Sequence, residues 1–188
     1  MKKMFLSLAL LVTGFPFLAH SQTVTGDFQK GSIMKTTHET LEGSIKDQTK
    51  KGTIVFTSTT GQKKVYTPDE LLGFTLNGAN YISYLSDFYK VVVSGSRASL
   101  YQRVTDNSGK MLYNGADAIS ITTASGKIGD FYLQAGTEIK LTWLAQKNFD
   151  KVLATAFTDC TTIVAGIKAK QWDYSQLNIV VSEYNACK

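Results

Sequence analysis

The chain has 188 residues with a formal net charge of +5, and 43% of it is hydrophobic against 19% charged. Such a balance excludes a disordered polyelectrolyte. The basic residues are scattered (Lys50-Lys51, Lys63-Lys64, Arg97, Arg103) and read as an ordinary solvated surface, without the dense basic stripe of a nucleic-acid binder.

The first element is a leader. Met1-Lys2-Lys3 is a short cationic start, 4–19 is an apolar run broken by Gly14 and Pro16, and Ala19-His20-Ser21 supplies the small-x-small pattern of signal-peptidase cleavage. The run falls short of the ~20 apolar residues a membrane span needs. An uncleaved anchor is the alternative reading. The expected organisation is therefore a signal peptide over 1–21 and one domain over 22–188, with no stable membrane span once the signal is removed.

From Gln22 to about Trp143 the pattern is strand-like. Gly31-Ser32-Ile33-Met34-Lys35 and Leu41-Glu42-Gly43-Ser44-Ile45 predict a hairpin around the polar stretch 36–40. Thr53-Ile54-Val55-Phe56-Thr57 and Lys64-Val65-Tyr66 flank the turn Thr60-Gly61-Gln62. Thr67-Pro68-Asp69-Glu70 then predicts a single helical turn, capped by Thr67 with Pro68 at the first helical position. Phe74-Thr75-Leu76 and Tyr81-Ile82-Ser83-Tyr84 lie either side of Asn77-Gly78, a strong hairpin signal, although four residues between the runs suggest a loop wider than a tight type I′ turn. Segments 88–93 and 98–103 bracket Ser94-Gly95-Ser96. Segments 111–113, 118–122, 128–134 and 138–143 complete the series, the last with Ile139, Leu141 and Trp143 assigned to one face.

After Ala145 the apolar period changes to that of a helix. Phe149, Val152, Leu153, Ala156 and Phe157 mark one helix, and Thr158-Asp159 breaks it as a cap. A second helix is expected over about 160–170 and a third over about 175–187. The short link makes these two antiparallel neighbours, so the start of one lies beside the end of the other. Those ends carry Cys160 and Cys187, the only cysteines, and in an oxidising compartment they would form a disulfide. Two buried free thiols are the alternative. The fold class expected is α+β: a curved or barrel-like antiparallel β body over 22–145, followed by three C-terminal helices over 146–188.

No motif in the sequence carries recognisable chemistry. His38, the one histidine left once a leader over 1–21 is removed, is read as a turn histidine in solvent, and beside a bonded cysteine pair it leaves no zinc site. Asp106-Asn107-Ser108-Gly109 lacks the later ligands of a calcium loop and is read as a turn. Asp69 and Glu70 are read as cap and dipole partners rather than a glycosidase pair. Tyrosines 66, 81, 84, 89, 101, 113 and 132 either line a ligand groove or occupy half-buried strand positions. No catalytic residue, cofactor or metal ligand is assigned.

Several blocks resemble exported proteins of unknown function common in Bacteroidota: Lys30-Gly31-Ser32-Ile33 with Leu41-Glu42-Gly43-Ser44-Ile45, Tyr66-Thr67-Pro68-Asp69-Glu70-Leu71-Leu72-Gly73-Phe74, Val91-Val92-Val93-Ser94-Gly95 leading to Leu100-Tyr101, Phe157-Thr158-Asp159-Cys160 and Tyr184-Asn185-Ala186-Cys187. The resemblance leaves out 106–134. It implies a periplasmic, outer-membrane-associated or secreted location, and brings no activity with it. The function expected is a non-catalytic envelope or secreted protein that binds a protein or glycan partner. A small hydrolase with carboxylates from distant strands, and a lipid carrier with a hollow barrel, are the alternatives.

Overall fold

The computed structural model describes residues 27–114 and 117–187. The expected leader and the cleavage point before Gln22 lie outside the described residues. The body is one ten-stranded antiparallel sheet, in the order β12-β11-β8-β7-β6-β5-β1-β2-β3-β4. Its strands are β1 Phe28–Lys35, β2 Thr40–Gln48, β3 Thr53–Ser58, β4 Lys63–Tyr66, β5 Leu71–Leu76, β6 Ala79–Tyr84, β7 Asp87–Val93, β8 Ala98–Arg103, β11 Phe131–Ala135 and β12 Thr142–Leu144. A separate two-stranded ribbon pairs β9 Met111–Asn114 with β10 Asp117–Ser120.

The sheet is open but strongly curled. A flat sheet would hold β2 and β8, five spacings apart, at about 24 Å. Instead the Thr105 hydroxyl just beyond β8 donates to the Thr49 carbonyl just beyond β2 at 2.5 Å. Glycine makes this coil possible where Gly31 and Gly43 pair across β1 and β2. A Cβ at either would strike a carbonyl oxygen of the next strand, that of Thr75 or Thr57. The barrel alternative fails because β4 and β12 both remain edges. The edges are blunt: β12 has three residues, and β4 exposes Lys63 and Lys64.

Two predicted details are corrected. Leu76 pairs directly with Ala79, so Asn77-Gly78 is a two-residue turn with both φ angles positive, 49° and 81°. Extension of both strands to the turn makes it tighter than the apolar runs suggest. The predicted strand 138–143 shrinks to β12. Ile139 is 82% exposed while Leu141 and Leu144 are buried, so strict alternation does not hold.

Three helices close the described chain, α1 Phe149–Ala156, α2 Thr161–Lys168 and α3 Leu177–Ala186, with a 3-10 turn at Tyr174–Gln176. Leu153, Phe157, Ile163, Ile167, Val180 and Val181 pack with Leu100, Leu133 and Leu144 of the sheet. Alternation sends Tyr101 and Tyr132 to the opposite face, where they join Tyr89 and Leu141. Strands β8 and β11 are thus covered on both faces. Ile33, Ile45, Ile54, Phe56, Phe74 and Phe88 fill a further cluster in the curl of the sheet's other half.

Candidate functional site

Cys160 and Cys187 stand at disulfide distance, with sulphurs 1.99 Å and Cα atoms 6.3 Å apart. Their neighbours make this end of the molecule a lock. Asp159 was expected to cap a helix; instead its carboxylate accepts from Arg97 Nη2 at 2.6 Å and from the Tyr184 hydroxyl at 2.9 Å. Arg97 lies 4.2 Å over the Tyr184 ring, and its Nη1 donates to the carbonyls of Tyr184 and Cys187. The Phe157 and Tyr184 rings stack at 3.8 Å. Gly95 faces the Asn185 amide, and a Cβ there would collide with it. The Phe-Thr-Asp-Cys and Tyr-Asn-Ala-Cys blocks therefore meet at one structural joint.

Arg103 also departs from the surface role expected of it. It is fully buried, and each of its five N–H donors has an acceptor. Nε donates to the Thr105 carbonyl, Nη1 to the carbonyls of Ala124 and Gly126, and Nη2 to Asp87 Oδ2 at 2.6 Å and Asp106 Oδ1 at 3.1 Å. Asp87, equally buried, accepts the Asn107 N–H through its other oxygen. Burial pushes the Asp87 carboxyl up, against the pull of the Asn107 N–H and the guanidinium. Burial acts on Asp106 too, but Ser108 and Arg103 outweigh it and hold that carboxyl below the usual range. Two carboxylates with opposite shifts are what a hydrolase would need. Asp87 is closed off with both oxygens engaged, Asp106 is part-exposed and committed to Arg103 and Ser108 through Oδ1, and neither lines either of the grooves described next. Their work is to fasten the loop 121–130 over the sheet.

A solvent-open candidate lies where β12, α1, α2 and the Tyr174–Gln176 turn meet. One groove, of 340 Å3, is lined by Phe149, Asp150, Lys170, Trp172 and Asp173 among others. A second, of 500 Å3, is lined by Gly126, Lys127, Asp130, Trp143 and Lys147. Both include Gln146 and Tyr174, so they lie side by side, and each falls in the size range of ligand sites. Both tryptophans of the chain stand here.

Local sequence explains how the aromatic rings are held. Helix α2 ends in a Schellman arrangement: the N–H of Lys170 bonds the Ile167 carbonyl and that of Gln171 the Gly166 carbonyl. Lys170 occupies the left-handed position at φ 54°, where glycine would be relaxed and a side chain costs about 1 kcal/mol. That reversal lays Trp172 against Gly166, where a Cβ would meet the indole ring. Tyr174 is wedged edge-to-face between Phe131 and Phe149, with centroids 5.6 Å apart in each case. Its hydroxyl donates to the Leu144 carbonyl at 2.9 Å. Trp143 Nε1 donates to Asp130 Oδ2 at 3.0 Å, which fixes the second indole.

Other residues singled out in the sequence are brought to no common site. His38 is exposed at φ 65° in the β1–β2 turn. Tyr66, Tyr89, Tyr101 and Tyr132 are core, Tyr81 and Tyr84 are half-buried and Tyr113 is 73% exposed on the ribbon, so the predicted tyrosine set does not form a groove. Glu70 accepts from Thr67 in a capping box and pairs with Lys64 at 2.9 Å. Hydrogen bonding from Lys64 holds its carboxyl below the usual range. Comparison with protein-family models, curated proteins and solved structures finds no match for this chain.

Proposed function

We propose that this is an exported, non-catalytic binding protein whose ligand is a glycan, held in the adjoining grooves around Tyr174. One observation carries the reading: Trp172 lines one and Trp143 the other of two adjoining solvent-open grooves that share Tyr174, and all three rings are fixed by packing or hydrogen bonds before any ligand arrives. Sugar rings offer flat C–H faces to such aromatic surfaces, and their hydroxyls bond to flanking amide groups such as that of Gln146. Preorganised rings lose little entropy on binding. The disulfide and the leader-like start support export, as does the resemblance to exported Bacteroidota proteins. Of the two partner classes expected from the sequence, a groove of this size with aromatics set into it suits a chain of sugars better than a broad protein face.

A glycan array probed with the mature chain tests the binding. The reading expects a confined set of oligosaccharides to be retained, and retention to be lost in Trp143→Ala and Trp172→Ala. Retention unchanged in both variants, or none by the parent, contradicts it. For export, the intact mass of secreted protein should begin at Gln22, and material still carrying 1–21 would contradict that part.

A further inference from the structure

The charged groups of the grooves differ in how far the fold already engages them, and the difference points to one class of glycan. Three lysines line them: Lys127 and Lys147 on the Trp143 side, Lys170 on the Trp172 side. All three are exposed, and among the described residues none of their ammonium groups pairs with a carboxylate or bonds another group.

The three acids of the same grooves are already engaged by the fold. Asp130 Oδ2 accepts from Trp143 Nε1 and from the Lys127 backbone N–H at 2.9 Å. Asp173 Oδ1 accepts from the Ser175 N–H at 2.7 Å and its hydroxyl at 2.5 Å, and those bonds hold the Asp173 carboxyl below the usual range. Asp150 Oδ1 accepts the Lys151 N–H at 2.7 Å. Formal charges cancel, and Asp150 and Asp173 are exposed, but each acid already has one oxygen taken by hydrogen bonds within the protein while the cations are uncommitted. Lys170 adds a conformational argument. It holds the left-handed position that glycine would fill without strain, so the site keeps a long cationic side chain there at a cost to the fold.

Resting on the glycan reading above, we infer that the ligand is an anionic oligosaccharide, bearing carboxylate or sulfate groups, whose acidic groups pair with Lys127, Lys147 and Lys170 while its rings stack on the indoles. The spread of cations over both grooves requires more than one sugar unit. Lysine suits this role, because a mobile point charge on a flexible stem follows an acidic group that shifts from one ring to the next.

Calorimetric titration of the mature chain with oligogalacturonates and sulfated chondroitin oligosaccharides, beside neutral cello-oligosaccharides, tests the inference. At low salt one or both acidic probes should bind about tenfold tighter than the neutral one, the size expected of a few exposed ion pairs acting together. The preference should fade as salt is raised. Which acidic probe wins tells carboxylate from sulfate. The triple variant K127Q/K147Q/K170Q should lose the preference and keep neutral binding. Equal affinity for acidic and neutral probes, or a preference that survives in the triple variant, overturns the inference and leaves glycan binding standing. No heat with any probe, or binding indifferent to Trp143→Ala and Trp172→Ala, removes the glycan reading and this inference with it.

Discussion

The side chain of Asn185 pairs with Ala98 as a neighbouring strand would. Its Oδ1 accepts the Ala98 N–H at 3.0 Å and its Nδ2 donates to the Ala98 carbonyl at 2.8 Å. The same Oδ1 accepts from the Arg97 N–H at 3.2 Å. One amide thus satisfies the start of β8 and ties the last helix to the sheet. Asn185→Ala leaves these part-buried groups without partners and should cost about 2–4 kcal/mol. Urea unfolding checks this, with Asn185→Asp equally damaging because a carboxylate cannot donate to Ala98.

Arg103 predicts a larger loss. Arg103→Met strands Asp87 in the interior, and breaking one side of a buried pair costs about 3–5 kcal/mol. Adding Asp87→Leu should recover much of that, because the uncompensated charge goes too. Equilibrium denaturation of the two variants tests the pairing, and proteolysis within 121–130 should accelerate in Arg103→Met.

The disulfide closes a loop with a sequence separation of 27 residues. In the chain-entropy account it is worth about 3.5 kcal/mol. Cys160→Ser/Cys187→Ser should lower the melting temperature without altering the sheet's circular dichroism. The lock around Arg97 is expected to hold the tail in place when the bond is absent.

The lock should also weaken in acid. Hydrogen bonds from Arg97, then from Tyr184, hold the Asp159 carboxyl below its ordinary value of 3.8. A carboxyl depressed by folding adds stability above the unfolded value and loses it as pH falls through the folded one. The stability gap between the parent and Asp159→Asn is therefore full at neutral pH, shrinks below about pH 4 and closes in stronger acid. Melting temperatures across that range measure it, and a gap independent of pH would refute the assignment.

How far the sequence foretold these relationships depends on the span of chain involved. The hairpins, the helical turn at Pro68 and the three helices came from local patterns, and the sheet pairs neighbours in sequence nearly throughout. The cysteine pairing followed from helix lengths. Arg103 did not read as a core residue because nothing near it in sequence announces Asp87. A signal was present nonetheless: Leu100-Tyr101 places large side chains on both faces of β8, so a residue two further on is also covered. The groove was illegible for a stronger reason. Its lining comes from positions spread over 126–180, brought together only when the tail helices dock on β11 and β12. The tyrosines, more numerous and closer together, drew attention to what proved to be core.

Since Trp143 and Trp172 are the only tryptophans, emission excited selectively at the indoles, to the red of tyrosine absorption, reports from the grooves alone. Titration with an oligosaccharide retained on the array should give a saturable change in that emission, with a midpoint matching the affinity found by calorimetry. A retained oligosaccharide that binds by calorimetry while both indoles stay silent would place the ligand elsewhere and contradict the account.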